Sequence, residues 1–202
     1  MTVAGKNSLP GESPGQKLAR IVRHYVGCSL SSRADELGRL VARGVDDPAR
    51  VVQIRTNCGL FALGVMAEAG VDDPILDRKY YDGAAIGWLR QIGLNRKALV
   101  KYAGPTGPQP QIGALLRYNT AGKNDDHVEW LLSDVDAHGY AEHAGGGRTN
   151  NAITLVGPQA PNSAGLVTWN YGRPLVEFWD PNLLGIEIVP LGSDINEAYP
   201  DV

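Results

Sequence analysis

Cys58 stands in the stretch Arg55-Thr56-Asn57-Cys58-Gly59-Leu60-Phe61-Ala62-Leu63, directly behind an asparagine suited to capping a helix. The spacing predicts a helix over Asn57–Ala69, stopped by Gly70, which puts the thiol in the first turn. A helix start carries partial positive charge and unpaired N–H donors, and both favour thiolate over thiol. The N–H of Cys58 is itself one of those donors and a candidate to hold the oxyanion of a tetrahedral intermediate. The competing reading is a buried small hydrophobe, because free cysteine is among the most buried residue types.

A base for such a thiol is offered further along. In His127-Val128-Glu129-Trp130-Leu131-Leu132 a period of two puts His127, Glu129 and Leu131 on one strand face. In Gly139-Tyr140-Ala141-Glu142-His143-Ala144 it puts Ala141 and His143 on one face. A hairpin centred near Asp136 would pair Glu129 with His143 and leave His127 diagonal to His143. Diagonal neighbours lie about 7–8 Å apart, within reach of two imidazoles.

The expected division of labour follows. Cys58 attacks, His127 takes its proton and later protonates the leaving amine, and His143 bonds the other ring nitrogen of His127 and fixes its tautomer. Asn57, Asp126, Glu129 and Gly145 flank these three in the chain and are the candidates to line a substrate cleft. Asp126 also reads as a solvated turn, and Gly145 as a flexible one. Short Cys-pair and HExxH spacings are missing, so the histidines do not read as a metal centre, and there is no GxSxG elbow for a serine nucleophile. His24 and His138 fit neither pattern.

The elements that must position these groups divide into two halves. Ser13 as cap and Pro14 at the first helical position open a helix carrying Leu18, Ile21, Val22, Tyr25 and Val26 at helical spacing. Ser32–Arg43 makes a second amphipathic helix and Ala84–Ile92 a shorter one before Gly93. The Cys58 helix is apolar nearly all round, as befits one buried within a core. Beyond Gly104 come short β-rich runs: Ile112–Tyr118, His127–Leu132, Gly139–Ala144, Ile153–Val156, Leu166–Tyr171, Leu175–Phe178 and Ile186–Leu191. Helices first and strands second predict an α+β fold, with N-terminal helices packed against an antiparallel sheet. Residues 1–13 read as a flexible arm, and 14–202 as one domain, helical over about 14–103 and sheet over about 111–192.

Bulk properties narrow the function classes. With a formal net charge of -3 and scattered basic residues, the 202-residue chain does not suggest nucleic acid or an acidic membrane surface as a partner. The 43% hydrophobic share supports a real core, and no window reads as a membrane span. The first residues carry no basic region followed by an apolar run, so no secretory signal is visible. Two cysteines make no disulfide framework, although Cys28 and Cys58 could pair.

The succession NCGLFALGVM, GALLRYN, HVEWLL and YAEHAGGG resembles the NlpC-type papain-like amidase and peptidase superfamily, with the CHAP amidases as relatives. The resemblance spans roughly Arg55 to Gly147 and maps the family's cysteine, glycine-led strand, histidine base and third polar residue onto Cys58, Gly113, His127 and His143. Asn57 stands where the family has aspartate, and Glu129 where a small residue is common. The family's oxyanion tyrosine has no counterpart before Cys58, leaving Gln53 as a candidate. The resemblance implies a papain-like core, no cofactor and hydrolysis of amide bonds in bacterial peptidoglycan peptides, at a stem peptide or a cross-link. It implies action at the cell wall after lysis, injection or dedicated export from the cytoplasm, with an immunity or inhibitor protein as a partner. Two other readings use the same fold. One is a catalytically silent binding or virion-structural domain; the other is an acyltransferase or deamidase acting on proteins.

Overall fold

The computed structural model describes residues 7–29, 31–41, 58–77, 85–123, 126–147, 152–156, 166–170 and 172–188. Helix α1 spans Pro14–Tyr25 and starts as its sequence requires. Ser13 Oγ accepts from the Gln16 N–H at 3.2 Å and Gln16 Oε1 accepts from the Ser13 N–H at 2.8 Å, a reciprocal capping box. Leu18, Ile21, Val22 and Tyr25 form its buried stripe. The described part of the expected N-terminal arm is fastened to the body. Glu12 is buried and pairs with Arg20 at 2.7 Å, and Ser8 Oγ donates to the Glu187 carbonyl at 3.0 Å.

Helices α2 (Ala34–Val41) and α3 (Cys58–Ala69) follow, and α3 is the hub. It contacts α1, α2 and the next helix, α4 (Ala85–Asn95), as well as the sheet, which is why nearly all of its residues are apolar and buried. Helix α4 runs past Gly93, where the sequence predicts its end. A Cβ at Gly93 would lie 2.4 Å from Trp179 Nε1, so that glycine serves close packing against an indole rather than termination. Trp179 Nε1 donates to the Leu89 carbonyl at 2.9 Å, locking the helix to the sheet.

The strands are β1 (Leu99–Lys101), β2 (Leu115–Tyr118), β3 (His127–Leu131), β4 (His143–Gly145), β5 (Thr154–Val156), β6 (Trp169–Asn170) and β7 (Arg173–Trp179). Six of them form an antiparallel sheet in the order β1-β7-β2-β3-β4-β5, and β6 pairs with β7 off that path. The α+β expectation holds. β1 lies in a region expected to be helical, and residues 186–188, the described part of an expected last strand, contain none.

The sheet separates two cores. On one side Leu115, Val128, Trp130, Ala144 and Trp179 pack against the helices. On the other, Leu116, Tyr118, Leu131, Leu175 and Phe178 pack with Ala141 and Val167. Among the described residues no helix is long and apolar enough to cross a membrane.

Candidate active site

Helix α3 begins at Cys58 and strand β3 begins at His127, and these two element starts meet. The Cys58 thiol hydrogen-bonds the His127 ring and takes backbone hydrogen bonds from Val128 and Gly59. Burial by itself would push the thiol up. The His127 hydrogen bond, the charge of that ring and the two backbone bonds outweigh it and hold Cys58 below its ordinary value. Cys28 shows the opposite case. Burial raises its thiol, only partly offset by Arg33, while Glu36 raises it further. Both cysteines are free thiols.

His127 also bonds a carboxylate. Its Nε2 lies 2.9 Å from Glu129 Oε1, and the same ring bonds the Cys58 thiol. The two side chains meet because residues two apart on a strand share a face. Desolvation opposes the imidazolium, but the bonds to Cys58 and Glu129 prevail and raise His127 to about 9. Glu129 is 1% exposed, a burial that would favour its neutral acid form. Hydrogen bonds from His127 and His143, reinforced by their charge, instead hold it well below the usual carboxylate range. His143 Nδ1 bonds Glu129 Oε2, and Asn170 Nδ2 donates to that same oxygen at 2.8 Å.

The expected contact between His127 and His143 is therefore replaced by one through Glu129. The strand ladder explains the change: Leu131 pairs with His143 and Trp130 with Ala144, not Glu129 with His143. Sliding β4 by two positions keeps His143 on the same face yet carries it away from His127 and beside the carboxylate. The connection sets this register. Asp136 accepts from the N–H groups of His138 and Tyr140 at 2.8 and 2.9 Å, and Ser133 Oγ accepts from the Glu142 N–H at 2.9 Å. The result is a shaped loop in place of a simple hairpin turn.

The expected cleft residues separate into three groups. Glu129 belongs to the buried centre of the site. Gly145 supports it: a Cβ there would stand 2.7 Å from Glu129 Cγ and 2.9 Å from the Val128 carbonyl, so its place is packing against the carboxylate. Asp126, next to His127 in the chain, turns instead to Arg117, whose Nε and Nη2 lie 2.9 and 2.7 Å from its Oδ1. Asn57 and Gln53 lie outside the described residues.

Sequence reasoning missed two features. That Glu129 could serve His127 directly was available from their shared face two residues apart. Asn170 carried no signal, since it reaches Glu129 only through the path of the folded chain. Comparison with protein-family models, with curated proteins and with solved structures finds no match to this chain.

Proposed function

We propose that the protein is a cysteine-dependent amide hydrolase with a papain-like arrangement of its site. Cys58 is the nucleophile, His127 the general base and acid, and Glu129 the group that orients His127. The observation that carries this reading is the chain of hydrogen bonds from the Cys58 thiol through the His127 ring to a buried carboxylate. A lone buried cysteine needs no such chain; Cys28 meets the Glu36 carboxylate directly at 3.9 Å, with no imidazole between them. His143 takes the position of a support for Glu129 rather than a direct partner of the base.

In the reaction, the Cys58 thiolate adds to the substrate carbonyl carbon, and the carbonyl oxygen becomes an oxyanion facing the N–H groups of the α3 first turn. The C–N bond then breaks as imidazolium His127 gives its proton to the leaving amine, which leaves a thioester. Neutral His127 next takes a proton from water, whose oxygen attacks the thioester. The acid is released and the thiolate–imidazolium pair returns. Glu129 keeps the ring in one tautomer and stabilises the imidazolium in both steps.

The substrate class rests on the resemblance of the Cys58, Gly113, His127 and His143 segments to cell-wall amidases: peptidoglycan peptides, cut in the stem or at a cross-link. The test is incubation of the chain and its Cys58→Ala variant with peptidoglycan, followed by mass spectrometry of the soluble fragments. New fragments from the unaltered chain alone are the expected result. No fragments, together with a Cys58 that iodoacetamide does not alkylate below the pH of an ordinary thiol, would instead favour a silent binding domain. An alkylatable Cys58 without fragments would point to acyl transfer or deamidation on proteins.

A further inference from the structure

Asn170 is buried at 4% exposure on the sheet face away from the helices, yet it uses its side chain oddly. Its Nδ2 donates to Glu129, while its Oδ1 has no hydrogen-bond partner among the described residues. Turning the amide over would set Oδ1 against the carboxylate, so this orientation is the one the chemistry allows. A buried carbonyl without a partner is costly, and a leucine of similar branched shape would avoid that cost. What an apolar residue could not supply is the donor.

The segment that brings Asn170 is tied down on both sides. Tyr118 donates its hydroxyl to the Val167 carbonyl at 3.0 Å, and Tyr118 is the β2 residue directly opposite His127. The Val167 N–H donates to the Gly139 carbonyl at 3.0 Å, and Tyr140 bridges to Leu166, which joins the segment to the β3–β4 connection. The Leu175 N–H donates to the Thr168 carbonyl at 3.0 Å, which joins it to β7. Residues 166–170 thus form a strap across the far face of the sheet, and its last member touches the carboxylate.

We propose that Asn170 is a positioning residue of the site: held by this strap, it occupies Glu129 Oε2 together with His143 and so keeps Oε1 aimed at His127. The inference rests on the reading of Cys58 and His127 as a nucleophile–base pair and extends it to a residue distant in the chain. Without the Asn170 donor, one of the bonds that hold Glu129 Oε2 is lost, the aim of Oε1 at His127 weakens, and the imidazolium of His127 loses support. Less imidazolium means less stabilisation of the adjacent thiolate, so Cys58 ionises at higher pH.

The experiment is the pH dependence of iodoacetamide alkylation at Cys58, read by peptide mass mapping, in the unaltered chain and in Asn170→Leu and Asn170→Ala. Far-UV circular dichroism establishes that each variant is folded, and the smaller alanine is carried in case leucine overpacks. The unaltered chain is expected to show a midpoint below that of an ordinary thiol. The folded Asn170 variants are expected to show it raised by about one pH unit, the scale of one hydrogen bond to a charged group. A lower melting temperature with an unmoved midpoint would make Asn170 merely structural and overturn the inference. An ordinary midpoint already in the unaltered chain would remove the nucleophile–base reading instead, and the inference with it.

Discussion

Glu129 and Glu177 are both buried carboxylates in the same antiparallel sheet, and their neighbours give them different work. Glu129 meets two imidazoles and an amide on the far face. Glu177 sits next to Phe178 on β7 and faces the helices, where Arg90 Nε and Arg117 Nη1 each lie 2.7 Å from its Oε1. Guanidinium groups stay protonated throughout the accessible pH range, so the partners of Glu177 are cations of fixed charge. It clamps α4 to β7 and β2, and through Arg117 it reaches Asp126 beside His127. Imidazoles gain and lose protons, so the Glu129 cluster can change state during a reaction. Burial and negative charge are common to both; the titrating partner is what would separate the proposed reactive centre from a brace.

The largest expected effect breaks that difference at Glu129. Glu129→Gln keeps the shape and removes the charge that supports imidazolium His127. On the proposed hydrolase reading, peptidoglycan-peptide turnover should fall about a thousandfold or more, as when the carboxylate of a catalytic triad becomes an amide. Cys58 alkylation should lose its low-pH reactivity in the same variant. Full alkylation at neutral pH in a folded Glu129→Gln protein would sink the orienting role.

A smaller effect is expected on the other face. Glu177→Gln leaves Arg117 its partner Asp126 and leaves Arg90 half exposed, so water and salt soften the loss. Urea unfolding should show a stability decrease of about 1–3 kcal/mol. The pH midpoint of Cys58 alkylation should stay where it is. A midpoint shift matching that of Glu129→Gln would show that the two clusters act as one.

How far the sequence carries this contrast depends on the range over which each part is determined. Local grammar foretold the Ser13 cap, the buried α3 and the shared face of His127, Glu129 and His143, because caps and periodicities are properties of neighbouring residues. It failed where distant segments decide. The register of β4 follows from side-chain bonds made by Ser133 and Asp136 inside the loop, which a turn-centred hairpin does not anticipate. β1 exists because Leu99, Val100 and Lys101 find Trp179, Phe178 and Glu177, far along the chain. The same dependence hid Asn170, and it hid Gly93 as a packing residue until Trp179 was seen against it.

The smallest expected effect sharpens the contrast through stability. A raised histidine contributes stability that is fully present below its unfolded value of about 6.5 and is lost as pH rises through its folded value. For His127 the folded value is about 9, so the loss occupies roughly pH 6.5–9. The depressed Glu129 acts at the other end: its contribution is present above the unfolded carboxylate value of about 4.3 and is lost as pH falls toward its folded value. The Cys58 thiolate contributes with opposite slope in the alkaline range, so the clean measurement is made in Cys58→Ala. There the His127–Glu129 pair remains, with the upper end of its window lowered because one of the groups raising His127 is gone. Melting temperature in Cys58→Ala should fall between pH 6 and pH 9 by on the order of 3 °C more than in Cys58→Ala with His127→Gln. Coincident melting curves would mean that Glu129 gains nothing from the charge of His127. The carboxylate would then be a brace like Glu177, held by His143 and Asn170 for structural reasons.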